Sequence, residues 1–275
     1  IPFLFDGYGV EEDSWGHVLN AALMTETGVY EISRLPGHPL FEALLLILWK
    51  VHSPFLFNLP AAIAGAYSIS VFYRIAQMQH IKLALWWSFA FSTVPVVFIS
   101  STYTIDYSIA LLFILLAYEA TLNQKEEKAG LFLAIAVALR ITSYGMLLPL
   151  GYLLIRDKRK ETSVALRIRR VAKLIFVTLF ISLIFYLPPI KQYGLDFFDF
   201  HKPPYPNMIE ALYKMSIGVW GVLGTIAVAF TTFILALKGN FKLKSIPFTV
   251  LLLTFFVFGI AYFRMPEKAA FWLPV

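Results

Sequence analysis

The sequence predicts an all-α protein, a polytopic transmembrane helical bundle with juxtamembrane helices ahead of it, and three observations carry that prediction. Of the 275 residues, 59% are hydrophobic and only 15% charged, and the mean hydropathy is +0.72, which places the chain in the membrane class. The apolar residues fall into runs close to the roughly 20 residues that a helix needs to cross hydrocarbon. The net charge of +6 is carried unevenly, in one block of Arg156, Lys158, Arg159, Lys160, Arg167, Arg169, Arg170 and Lys173 and a second of Lys238, Lys242 and Lys244. Basic blocks between apolar spans read as cytoplasmic loops under the positive-inside rule, in preference to a nucleic-acid surface. Cysteine is absent, so disulfides and Cys-ligated zinc are excluded.

Taken in order, residues 1–5 are apolar but too short to span, and suit the end of a preceding helix. The chain does not begin with Met and stops on an apolar phrase at 270–275, so we expect a fragment that lacks a first span and a C-terminal part. Across 14–27, Trp15, Val18, Leu19, Ala22 and Leu23 recur at helical spacing, with Asn20, Thr25 and Glu26 at more polar positions and Gly28 as the stop. That pattern predicts an amphipathic helix lying on the membrane surface. The run 39–51 contains Glu42 and is short, so it is expected to be interfacial or re-entrant. Spans are expected at 55–72, ending at Tyr73 and Arg74, at 83–99, and at 105–122, the last bounded by Asp106 and the polar stretch 123–128. The run 129–155 is too long for one upright helix and holds Arg140, Thr142, Ser143 and Gly145 in its middle. Two short helices meeting at a turn account for both features. Spans at 174–187, 217–237 and 248–263 complete the set.

With the basic blocks in the cytoplasm, 39–51 interfacial and 129–155 folded back, the opposite face collects the opening segment, the 100–106 loop, the Arg140 turn, the 191–214 loop and the 264–268 end. This describes one membrane domain: an extracytoplasmic loop over 1–54, a bundle over 55–263, and the start of an outward-facing segment over 264–275. A competing count, with both doubtful runs as single crossings, also keeps the basic blocks inside but moves Asp106 to the cytoplasmic side. No Walker loop, GxGxxG or HExxH motif and no repeat of 20–50 residues is present.

A charge in hydrocarbon costs about 2.5–3.5 kcal/mol on insertion scales, so ionisable groups in such a chain mark places that water or a ligand reaches. The polar opening over 11–39 concentrates acids, histidines and glycine turns. Arg140 inside an apolar run and Asp106 at the head of another are candidates for substrate contact or for pairing with each other. Plainer roles exist for several residues. Glu11, Glu12 and Asp13 fit a solvated helix start, where acids are favoured; Arg34 fits headgroup snorkelling; Arg264 and Glu267 fit an ion pair on one helix turn.

Asp13, Ser14 and Trp15, then the helix end Leu23 to Gly28 with its glycine fifteen residues after the aspartate, then Val29, Tyr30, Gly37, His38, Pro39 and Leu40 form a first-loop pattern. This pattern resembles the GT-C superfamily of polyprenyl-phosphate-dependent glycosyltransferases, most nearly the protein O-mannosyltransferase and aminoarabinose-transferase group. The similarity continues through 58–63, Pro95, Tyr103, Asp106, 129–131 to Arg140, and 264–270. The resemblance implies a GT-C-like bundle in the plasma membrane that transfers a sugar, with inversion, from a polyprenyl-phosphate donor to an acceptor on the extracytoplasmic face. It implies Asp13 as the catalytic base, and Glu12, Arg34, His38, Asp106, Arg140, Arg264 and Glu267 around the substrates. One carboxylate suffices, because a phosphate leaves without an acid to protonate it. Relatives often carry Lys just before the Pro-Leu start, where this chain has His38. No cofactor is expected. Asp196, Asp199 and His201 suggest a metal, but relatives with monophosphate donors need none, so no metal is expected either. The alternatives are a multi-span transporter with Asp106 and Arg140 along a solute path, and a non-catalytic membrane assembly subunit.

Overall fold

Among the residues that the computed structural model describes (2–156, 163–196, 207–237, 246–264 and 269–274), all regular structure is helical. Hydrocarbon demands this, because each backbone N–H and C=O must find its partner within its own segment. Among the described residues four helices are long and apolar enough to cross a membrane: α3 (Pro54–Met78), α9 (Val164–Tyr193), α11 (Ile217–Leu237, apolar over Ile217–Ile234) and α12 (Ile246–Arg264).

The opening segment leads into α1 (Glu12–Thr27), which stops where Gly28 turns left-handed at φ 66° and its N–H bonds Met24 O at 3.0 Å. The position of the helix is as its sequence predicts. Trp15, Leu19 and Leu23 face outward, while Ser14, His17, Val18, Asn20, Ala21 and Met24 are buried. Beside lipid an outward leucine carries no penalty, whereas close approach to neighbouring helices favours small side chains and polar ones with partners. The next helix, α2 (Pro39–Trp49), is about 16 Å long at 1.5 Å per residue, too short to cross. It buries Phe41 and Leu45 against Val18, Ala21, Phe57 and Leu139. Glu42 does not face lipid: it accepts hydrogen bonds from Ser33 N (2.9 Å), Ser33 Oγ (2.7 Å), His38 N (3.2 Å) and the Tyr30 hydroxyl, and so fixes the 28–38 loop.

At the start of α3, the fully buried Asn58 donates to Leu4 O (3.0 Å) and Gly7 O (2.8 Å) and accepts from Thr104 Oγ1 (2.6 Å). The expected single span at 83–99 is instead two short helices, α4 (Ala84–Ser92) and α5 (Pro95–Ser100). Pro95 has no N–H to offer the preceding turn and disfavours helical backbone at Val94, which sits extended at ψ 120°. α6 (Tyr107–Leu122) then runs beside α3 in the same direction, with Ser101 Oγ near Gly65 and 3.0 Å from Ser108 Oγ, and Arg74 clasping both oxygens of Glu119 at 2.6 and 2.9 Å.

The long run 129–155 folds back on itself. α7 (Glu126–Leu139) climbs alongside α9, from Gly130 O beside Thr178 Oγ1 (3.3 Å) to Val137 O, which accepts from Tyr186 OH (3.2 Å). Arg140 is extended (φ −150°, ψ 114°), a 3-10 turn covers Ile141–Met146, and α8 (Leu147–Arg156) descends the same helix, from Tyr144 against Ser182 to Ile155 O near Arg167 at 3.4 Å. Hence Gln124, Glu127 and Arg156 lie at the end of the bundle where Arg170 and Lys173 meet them, and Arg140 lies at the other. The competing single-crossing count is thereby set aside, and Asp106, Arg140 and the opening segment share one end. The span expected at 174–187 is the middle of the longer α9.

α10 (Met208–Met215) joins α12 through Tyr262 OH, which donates to Ala211 O at 2.6 Å. α11 is kinked at Gly221, whose φ of 69° glycine adopts without strain. Val250 and Phe258 of α12 complete a core with Leu133, Leu150, Leu154 and Leu174.

Candidate functional site

Four chain segments converge at the end opposite the basic pairs: the first turns of α1, the loop from Arg34 to the start of α2, and the α5–α6 and α7–α8 junctions with Asp106 and Arg140. Each exists for a local reason. Asp13 sits in the first turn of α1, where the helix dipole favours an acid. His38 precedes Pro39, which opens α2, and Asp106 precedes Tyr107 at the head of α6.

Asp13 Oδ2 pairs with Arg34 Nη1. Arg34 Nη2 lies 3.5 Å from His38 Nε2, and His38 Nδ1 is 2.7 Å from Leu139 O and 3.5 Å from Asp106 Oδ2. A carbonyl can only accept and a guanidinium can only donate, so these neighbours place the imidazole proton on Nδ1 and leave the lone pair of Nε2 toward Arg34. Asp106, fully buried, holds Arg140 Nη1 at 3.3 Å, and the Arg140 guanidinium lies 4.1 Å from the centre of the Tyr107 ring. Two carboxylates and two guanidinia thus alternate in one cluster and sum to no net charge, which is how a low-dielectric interior retains ions. Tyr107, Asp13 and Asp106 keep Arg34 charged and above its ordinary pKa, against the effect of burial.

His17, one turn after Asp13 on the same face of α1, was not singled out by the sequence. It is 2% exposed, edge-on to His38 and Phe41, with Nε2 3.9 Å from Asp106 Oδ1. Burial, with His38 and Arg34 nearby, lowers its pKa from 6.5 to about 3, so it is neutral. The i, i+4 spacing from Asp13 was the signal available. Tyr107, likewise missed, has only its position after Asp106 to mark it.

The other expected residues stand apart. Glu12 is exposed at the start of α1, and its neighbour Glu11 accepts from Tyr103 OH at 3.0 Å. Arg264 is exposed at the end of α12, on a groove with Phe256, Ile260 and Phe263. Glu267 lies outside the described residues, as do Asp199 and His201, while Asp196 is exposed after α9. Among the described residues no group of three or more His, Asp or Glu side chains is arranged to hold a metal.

Arg140 and Tyr107 also line a small cavity of about 20 Å³ with Leu111, Ile114, Leu273 and Pro274. Those four residues equally line a much larger apolar cavity of about 880 Å³ between α5, α6 and α11, walled by Phe91, Pro95, Trp220 and Trp272.

No protein-family profile matches this chain, and comparison with curated proteins and with solved structures returns no match.

Proposed function

We propose that this protein is an inverting membrane glycosyltransferase that takes a sugar from a polyprenyl-phosphate donor, with Asp13 as the base. The observation that supports this reading best is the cluster itself: an acid, two arginines and an oriented imidazole share one end of the bundle, and Leu111, Ile114, Leu273 and Pro274 line both the small cavity at Arg140 and the large apolar cavity beside it. A lipid phosphate has this combined chemistry, a chain to bury and an anion to pair. In the reaction, the acceptor hydroxyl or amine attacks the anomeric carbon as Asp13 takes its proton. The bond from that carbon to the phosphate oxygen breaks, and the electron pair leaves on the phosphate, which Arg34 and Arg140 stabilise. The basic pairs at the far end favour a cytoplasmic position for it, and so an outward-facing site in the plasma membrane. A transporter would be expected to place such charges midway on paired, broken helices.

The test is transfer by the full-length protein in proteoliposomes, from a panel of polyprenyl-phosphate hexoses and aminopentoses to membrane acceptors. Asp13→Asn should lower turnover by about 10²–10⁴ while the variant remains folded. Undiminished turnover in a folded Asp13→Asn protein would remove Asp13 from this role, and absence of transfer from every donor would remove the reaction.

A further inference from the structure

Both arginines of the cluster already hold a carboxylate, so an incoming phosphate must take a cation away from an acid. The two pairs differ in how readily they can yield. Asp106 is wholly buried, and Arg140 has about a tenth of its side chain exposed and lies over Tyr107. The Arg34 and Asp13 side chains are 29% and 12% exposed, on a loop residue and a first-turn residue. Arg34 also touches His38 Nε2, so it covers the lone pairs of two bases at once.

We infer that Arg34 is an exchangeable clasp: in the empty site it masks Asp13, and the donor's phosphate draws it off, which frees the carboxylate only once a donor is in place. This rests on the function proposed above and adds an order to it. A carboxylate paired with a guanidinium is a poor proton acceptor, so an acceptor that arrives first finds no base. The donor lipid is then protected from reaction until its own phosphate has rearranged the site. Arg140, held by Asp106, keeps a fixed position and reaches the phosphate without leaving its partner, as a guanidinium with five donors allows.

Competition between Asp13 and phosphate for one cation has a consequence that a purely structural ion pair lacks: deleting the acid should tighten binding of the lipid anion. Undecaprenyl phosphate, titrated into the full-length protein in detergent and followed by thermal stabilisation, should bind Asp13→Asn about tenfold more tightly than the parent, the size expected when one charge-assisted pair no longer has to be broken. Asp13→Glu, which keeps the charge, should stay near the parent, and undecaprenol, which lacks the phosphate, should show no preference among the three. Asp13→Ser makes the same comparison if the Asn variant does not fold. Parent and neutral variant binding undecaprenyl phosphate equally would overturn the clasp and leave the proposed function standing. No binding of undecaprenyl phosphate by any of them would overturn both.

Discussion

Arg140→Met isolates the buried half of the cluster. The substitution keeps most of the side-chain volume but strips Asp106 of the guanidinium 3.3 Å away and removes the cation from over the Tyr107 ring. An uncompensated buried charge costs about 3–5 kcal/mol, and the ring contact adds about 1 kcal/mol, so a loss of about 4–6 kcal/mol is expected. Asp106→Asn alone takes away the carboxylate that faces Arg140 and should cost about 3 kcal/mol. In the double variant neither charge is left over, and a coupling of about 2 kcal/mol or more should return relative to the sum of the single losses. Unfolding of the four proteins in mixed micelles titrated with sodium dodecyl sulfate measures each free energy. Single losses that simply add, within about 0.5 kcal/mol, would show that the two residues do not feel each other and would refute the preassembled cluster.

Three further outcomes follow from the same geometry. His17 is neutral in the fold (pKa about 3) but titrates near 6.5 when unfolded, so the unfolded chain binds the extra proton between these values; its contribution is intact above pH 6.5 and is lost as pH falls, by about 1.4 kcal/mol per unit, and His17→Phe should abolish that component of the stability profile measured against pH. Equal slopes in parent and variant would contradict it; the groups facing His17 are His38, Asp106, Arg34 and Asp13. Asn58→Leu leaves Leu4 O, Gly7 O and Thr104 Oγ1 without their partner, which should cost about 2–4 kcal/mol and expose the 5–11 segment to limited proteolysis; unchanged cleavage would show that Asn58 does not tether the opening. A methyl group on Gly65 would stand 2.6 Å from Ser101 Cβ, so Gly65→Ala should destabilise by about 1–3 kcal/mol and be largely rescued by Ser101→Gly, read by thermal denaturation in detergent.

The helices announced themselves in the sequence where a local device ends them. Gly28 stops α1, Pro39 starts α2, and the polar insert around Arg140 breaks 129–155 into a hairpin. Pro95 was an equally local device, but the apolar run around it is of spanning length, and hydropathy outweighed the proline. The orientation of α1 was hidden for a different reason: hydrophobic periodicity reports which face is apolar, and beside lipid that face can point away from the protein. Asp106 and Arg140 were legible because a charge in so apolar a chain requires a partner, and Asp13, Arg34 and His38 through the first-loop pattern; the fold brings these five together. Arg264 and Glu12 satisfied the same criterion but are exposed, away from the cluster. His17 and Tyr107 gave no such signal, since a histidine or tyrosine on a helix is ordinary until its burial is known.

The central claim is that the apolar cavity and the charged cluster together hold a lipid phosphate. Photocrosslinking of the full-length protein in nanodiscs with a diazirine-bearing prenyl phosphate tests it most directly, with the adducts mapped by mass spectrometry. The account predicts labelling of residues around the cavity, such as Leu111, Trp220 and Leu273, suppressed by unlabelled prenyl phosphate but not by the corresponding alcohol. Labelling spread along the exposed face of α12, or equally suppressed by the alcohol, would contradict it.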